Sequence, residues 1–130
     1  MDERKWRILL VDDEPSILKM VGKRLEVEGF EVLVAADGEE ALKTAQTKHP
    51  DLIVLDLMLP KVDGFTICET LKRNQTSRDI PIIAIFSGRA QPEDAERCKK
   101  LGAASYVSKG HGATPLVDEI RNLLSQTGDN

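Results

Sequence analysis

Leu52-Ile53-Val54-Leu55-Asp56 sets a carboxylate directly after four consecutive apolar residues. An unbroken apolar run, without polar residues alternating through it, suits a strand buried on both faces of a parallel sheet. Ile8-Leu9-Leu10-Val11, Val32-Leu33-Val34-Ala35 and Ile82-Ile83-Ala84-Ile85-Phe86 repeat the pattern, and a weaker run extends from Ala103 to Val107. Segments with helical spacing separate them. Ile17, Val21 and Leu25 follow Pro15, a residue favoured at the first helical position. Ala41, Leu42 and Ala45 follow the turn signal Asp37-Gly38. Phe65, Cys68 and Leu71 mark a third face, Ala95, Cys98 and Leu101 a fourth, and Leu116, Val117, Ile120, Leu123 and Leu124 a fifth. Strict alternation of five strands with five helices predicts a three-layer α/β/α sandwich around a five-stranded parallel sheet, joined by right-handed crossovers.

The 130 residues fit one domain, expected to span 1–130 with its ordered core at about 7–125 and loose ends at Met1–Lys5 and from about Gln126. Cys68 and Cys98 stand far apart in sequence and form no C-x-x-C pattern, which argues against a disulfide framework or zinc site. The apolar run after the mixed-charge N-terminus is too short for a signal-peptide core, and no stretch approaches the ~20 apolar residues of a membrane helix. A formal net charge of −4 disfavours non-specific nucleic-acid binding, which requires basic surface. No helix-turn-helix pattern is present, so specific DNA binding by this chain is not expected either. A cytoplasmic location follows as the expectation.

In open α/β sheets ligands bind beyond the carboxyl ends of the strands, where the strand order reverses. Here the first strand runs into Asp12-Asp13-Glu14, the third ends in Asp56, the fourth leads to Ser87, and the fifth leads through Tyr106-Val107-Ser108 to Lys109. Taken singly, several have ordinary explanations. Asp13 or Glu14 could cap the helix that Pro15 opens, Ser87-Gly88 is a common turn pair, and a lone lysine is usually solvated. Asp56 is harder to explain away, because a carboxylate beside a buried run is costly without compensation. Carboxylates ~4 Å apart repel by roughly 4 kcal/mol at an effective dielectric of 20. A hard divalent cation relieves that repulsion, and Mg²⁺ takes one or two carboxylates together with waters and phosphate oxygens. With a lysine added, the set suits a carboxylate nucleophile that receives a phosphoryl group.

These residues in this order resemble the receiver domain of two-component response regulators. The resemblance runs over about residues 7–125 through Ile8–Glu14, Asp51–Asp56, Leu59-Pro60-Lys61-Val62-Asp63-Gly64, Ser87 and Gly102–Lys109. It implies a flavodoxin-like sheet of order 2-1-3-4-5 and a phosphoryl group accepted on Asp56 from a histidine kinase or histidine phosphotransferase. Asp13 would bind Mg²⁺ directly, Asp12 mainly through water, and Asp56 and the Met58 carbonyl would complete the protein ligands. Ser87 and Lys109 would each contact a phosphoryl oxygen, and Ser87 and Tyr106 would form the switch. The face made by the fourth helix, fifth strand and fifth helix would then change, to be read by a downstream protein or output domain, with a homodimer through that face as a further expectation. The chain would catalyse only its own phosphorylation and dephosphorylation and would not be an enzyme for a separate metabolite.

Gly110-His111-Gly112 follows Lys109 where the family often has proline, which removes a rigid turn. Met58 and Arg89, bulky and without carboxylate or amide, occupy positions that flank the hydrolytic water's path in the family, so slow self-dephosphorylation is expected. A haloacid-dehalogenase-type phosphatase would require an aspartate where Met58 stands, and a flavin or nucleotide binder would require a Ser/Thr/Gly-rich loop where Asp12-Asp13-Glu14 stands. The remaining alternative is a pseudo-receiver, an interaction module that works without phosphorylation.

Overall fold

The structure, a computed structural model, describes residues 5–57, 64–86, 92–108 and 112–127. The chain alternates β1 (Arg7–Val11), α1 (Pro15–Val27), β2 (Glu31–Ala35), α2 (Gly38–Lys48), β3 (Leu52–Asp56), α3 (Gly64–Arg73), β4 (Ile82–Phe86), α4 (Pro92–Leu101), β5 (Ser105–Ser108) and α5 (Thr114–Thr127). The strands form one parallel sheet in the order β2-β1-β3-β4-β5. The α/β fold class is the one expected from the sequence pattern, and the strand order is the one the resemblance implies.

The unbroken apolar runs have a direct cause. Successive strand side chains point to opposite faces, and both faces are covered. Ile8, Leu10, Leu52 and Val54 pack with Leu25 of α1 and Leu116 and Ile120 of α5. Leu9, Val11, Ile53 and Leu55 pack with Ala41 and Ala45 of α2, Cys68 and Leu71 of α3 and Cys98 of α4. Every residue from Leu52 to Leu55 is fully buried. Each such aliphatic side chain contributes about 1.5–3 kcal/mol on burial, which makes β3 the anchor of the sheet.

Local signals fix the helix ends. Pro15 opens α1. Its far end closes as a Schellman motif, with Gly29 at φ +100° and bonds from the Gly29 N–H to the Glu26 carbonyl and from the Phe30 N–H to the Leu25 carbonyl. Asp37 caps α2 by accepting from the Glu40 N–H at 2.8 Å, and the Glu40 carboxylate accepts from the Ala36 N–H at 2.7 Å. His49, given no role by sequence, ends α2 in a left-handed conformation at φ 49°.

Two boundaries differ from expectation. The fifth strand begins at Ser105 rather than Ala103, because the Ala103 N–H bonds the Cys98 carbonyl to close α4 and only the Ala104 N–H joins the sheet, at the Ile82 carbonyl. The fifth helix is assigned through Thr127, two residues beyond the approximate end read from the sequence. Among the described residues no helix is long and apolar enough to cross a membrane.

Candidate functional site

The β1–β3 register determines what meets at the carboxyl edge of the sheet. Val11 pairs with Leu55, so the next residue on each strand, Asp12 and Asp56, arrive side by side. Backbone bonds hold both positions. The Asp12 N–H donates to the Ala35 carbonyl at 3.1 Å, and the Leu57 N–H donates to the Ile85 carbonyl at 3.1 Å, so the ladder reaches Asp12 and extends one residue past Asp56. Asp12 and Asp56 are each only 2% exposed, whereas Asp13 lies nearer solvent.

The Asp12 carboxylate is oriented locally, accepting from the Glu14 N–H at 3.0 Å. Glu14 is the N-cap residue of α1, and its side chain makes no capping bond. Capping therefore does not account for Asp13 or Glu14. One carboxylate oxygen from each of Asp12, Asp13 and Asp56 lies within 4.8 Å of the others. At that separation each charged pair repels by roughly 3.5 kcal/mol at an effective dielectric of 20, less where water screens Asp13. Three oxygen donors, two of them withdrawn from water, form a set that a hard divalent cation fits and a soft metal does not.

The helix after the acceptor strand starts against it. A Cβ on Gly64 would lie 2.4 Å from the Leu57 Cα and 2.9 Å from the Asp56 carbonyl oxygen. Only a residue without a side chain permits this approach, which fixes α3 on the backbone that carries Asp56. Phe65 follows, mostly buried, with the Arg97 guanidinium of α4 over its ring at 4.1 Å from the centroid. Sequence reading missed both contacts. Gly64 stood out only as the end of the Leu59–Gly64 segment that resembles the family's, and nothing local relates Phe65 to a residue on the next helix.

Of the residues singled out from sequence, Asp12, Asp13 and Asp56 come together. Met58, Ser87 and Lys109 lie outside the described residues, as does Arg89. Tyr106 is 46% exposed on the edge strand β5, an outward-facing rather than a core aromatic. Cys68 and Cys98, distant in sequence, share the apolar layer beneath α3 and α4 as free thiols. Burial raises the pKa of both, that of Cys98 to about 12, so neither suits nucleophilic chemistry.

The family model for the response regulator receiver domain matches residues 8–121. The chain belongs to the response-regulator receiver family. Across 121 residues, 93% of its length, the receiver is 40% identical to the DNA-binding dual master transcriptional regulator RpaA of Synechocystis. It is 44% identical, over the same length, to the alkaline phosphatase synthesis transcriptional regulatory protein PhoP of Bacillus subtilis. These alignments cover 50% and 49% of RpaA and PhoP, so the chain spans about half the length of the curated relatives it matches. Among solved structures, the Vibrio cholerae chemotaxis protein CheY4 superposes with a TM-score of 0.85 at 30% identity, covering 92% of this chain and 98% of that one. The receiver thus shares the fold of a chemotaxis regulator and is similar in sequence to the matching half of transcriptional regulators.

Proposed function

We propose that the receiver accepts a phosphoryl group on Asp56 from a phosphohistidine donor and passes the signal on by changing its surface. The supporting observation is the convergence of the Asp12, Asp13 and Asp56 carboxylates at the end of β1 and β3, within 4.8 Å. In this reading an Asp56 carboxylate oxygen forms a bond to phosphorus as the donor's P–N bond breaks. The departing imidazole nitrogen keeps the electron pair and takes a proton from solvent.

Asp12, Asp13 and Asp56, with the Met58 carbonyl, would hold Mg²⁺. When bound, the ion would neutralise charge on the phosphoryl oxygens. Lys109 and Ser87 are assigned to phosphoryl oxygens on the family pattern, and Ser87 with Tyr106 to the switch. The Glu14 N–H keeps the Asp12 carboxylate turned in a fixed direction, and the Gly64–Leu57 approach keeps the Asp56 backbone from drifting. The receiver acts only on its own acyl phosphate, forming and hydrolysing it. Its partners are a histidine kinase or phosphotransferase and a downstream protein or output domain, encountered in the cytoplasm.

The test is incubation with Mg²⁺ and acetyl phosphate, followed by intact mass, with Asp56→Asn alongside. An adduct on the wild type that needs Mg²⁺ and is missing from the variant is the expected result. Absence of both adduct and Mg²⁺ binding would overturn the proposal in favour of an interaction module that works without phosphorylation.

A further inference from the structure

Helix α4, Pro-Glu-Asp-Ala-Glu-Arg-Cys-Lys-Lys-Leu, is mostly polar. Among its described side chains only Cys98 is in the buried core, with Ala95 and Leu101 half-buried. Helix α3 by contrast buries Phe65, Ile67, Cys68 and Leu71. A helix with few buried contacts is the kind of element whose position changes at small cost.

Besides the weak bond from the Cys68 thiol to the Leu101 carbonyl, at 3.9 Å, a cation–π contact joins α4 to the start of α3. The Arg97 guanidinium lies over the Phe65 ring at 4.1 Å, well inside the ~6 Å range of cation–π attraction. Phe65 is the second residue of α3, and the first, Gly64, abuts the Asp56 carbonyl and the Leu57 backbone. A displacement at Asp56 is therefore passed to the Phe65 ring through close-packed backbone rather than through a flexible side chain.

We infer that the Arg97–Phe65 stack couples the acidic site to α4, so that a change of charge at Asp56 is felt as a change in how firmly α4 is seated. The inference builds on the phosphoacceptor reading and adds the route by which the site would reach a distant surface. Coupling needs an element with two arrangements that the site biases. Helix α4 provides the element, and the stack provides the bias.

The test is hydrogen–deuterium exchange of the α4 amides, residues 92–101, with and without Mg²⁺ and beryllofluoride, an acyl-phosphate mimic. It compares the wild type with Phe65→Leu, which keeps an apolar side chain but removes the ring, and with Arg97→Met, which keeps the stem but removes the charge. Lys100→Met, an exposed residue of the same helix, is the control. In the resting protein both stack variants are expected to exchange about two- to fivefold faster in α4, as the loss of one cation–π contact implies. Beryllofluoride is expected to shift α4 exchange in the wild type and in Lys100→Met, and to shift it less than half as much in the two stack variants.

Equal responses in all four proteins would overturn the coupling. So would a wild type that binds beryllofluoride, seen by ¹⁹F NMR, with no change in α4. If ¹⁹F NMR shows no beryllofluoride bound to the wild type, the phosphoacceptor reading itself fails and the coupling fails with it.

Discussion

Replacing Gly64 by alanine tests whether the start of α3 fixes the acceptor site. The added Cβ would lie 2.4 Å from the Leu57 Cα and 2.9 Å from both the Leu57 carbonyl carbon and the Asp56 carbonyl oxygen. All three are backbone atoms and none can rotate away. Since carbon–carbon contacts are comfortable at about 3.5–4.0 Å, the helix start must retreat by roughly 1 Å. Overpacking of this kind costs about 1–3 kcal/mol, against which the better helix propensity of alanine restores at most ~1 kcal/mol. A net loss of about 2 kcal/mol corresponds to a fall in Tm of about 7 °C, taking an unfolding entropy near 2.1 cal/mol/K per residue over the chain.

The displacement falls on the residue that would attack phosphorus. A misplacement of about 1 Å can slow such a step by up to ~10²-fold. Acetyl-phosphate labelling of Gly64→Ala, followed by intact mass below its Tm, is therefore expected to be at least tenfold slower than wild type. A variant that melts within a degree or two of wild type and labels at the same rate would refute the reasoning, because the backbone would then have absorbed the Cβ without moving Asp56.

Gly22→Ala should act in the opposite direction. A Cβ there would meet only the Val32 Cγ1, at 3.6 Å, in the interior of α1, so a gain of about 0.5–1 kcal/mol and a Tm raised by about 2–4 °C are expected from calorimetry. The Arg121 and Arg24 hydrogen bonds hold the Glu28 carboxyl below its ordinary pKa, so Glu28 contributes stability above its unfolded value near 4.5 that is lost as pH falls through the lower folded value. Glu28→Gln should flatten the acid limb of the Tm–pH profile, and a limb as steep as wild type's would remove Glu28 from the account. With the Cys98 pKa raised to about 12, its thiolate fraction at pH 8 is about 10⁻⁴. A thiol reagent should label the native receiver only at the rate of opening and the denatured chain at once.

The fold was legible because the two periodicities did not compete. Runs such as Ile8–Val11 and Leu52–Leu55 are too short and too uniformly apolar for amphipathic helices, and the Asp37-Gly38 turn signal and Pro15 mark helix starts by chemistry that acts over a few residues. The weakest run was misplaced by two residues, since an edge strand needs apolar residues on fewer sides and Ala103 is apolar for a different reason, closing α4. Close approaches between elements were illegible. Gly64 against Leu57 and Arg97 over Phe65 join residues whose proximity follows from how helices seat on the sheet. The two thiols show the same limit, distant in sequence yet in one layer.

The acidic cluster was legible for the opposite reason, because it breaks the local rules that the remainder of the chain obeys. Strands ending in buried carboxylates do nothing for the core. Asp12 and Asp56 are each 2% exposed with Asp13 beside them, so the carboxylates repel one another while adding no apolar contact to the core. The register leaves no way round this, because Val11 opposite Leu55 forces the two aspartates to the same level. Order 2-1-3 places that level at the point where connections leave β1 and β3, the carboxyl edge at which open α/β sheets bind ligands. A sequence consistent at every level except one small place directs attention to that place. Relieving the repulsion by substitution should stabilise the fold and abolish the chemistry together, which is the signature of residues kept for function at the expense of stability.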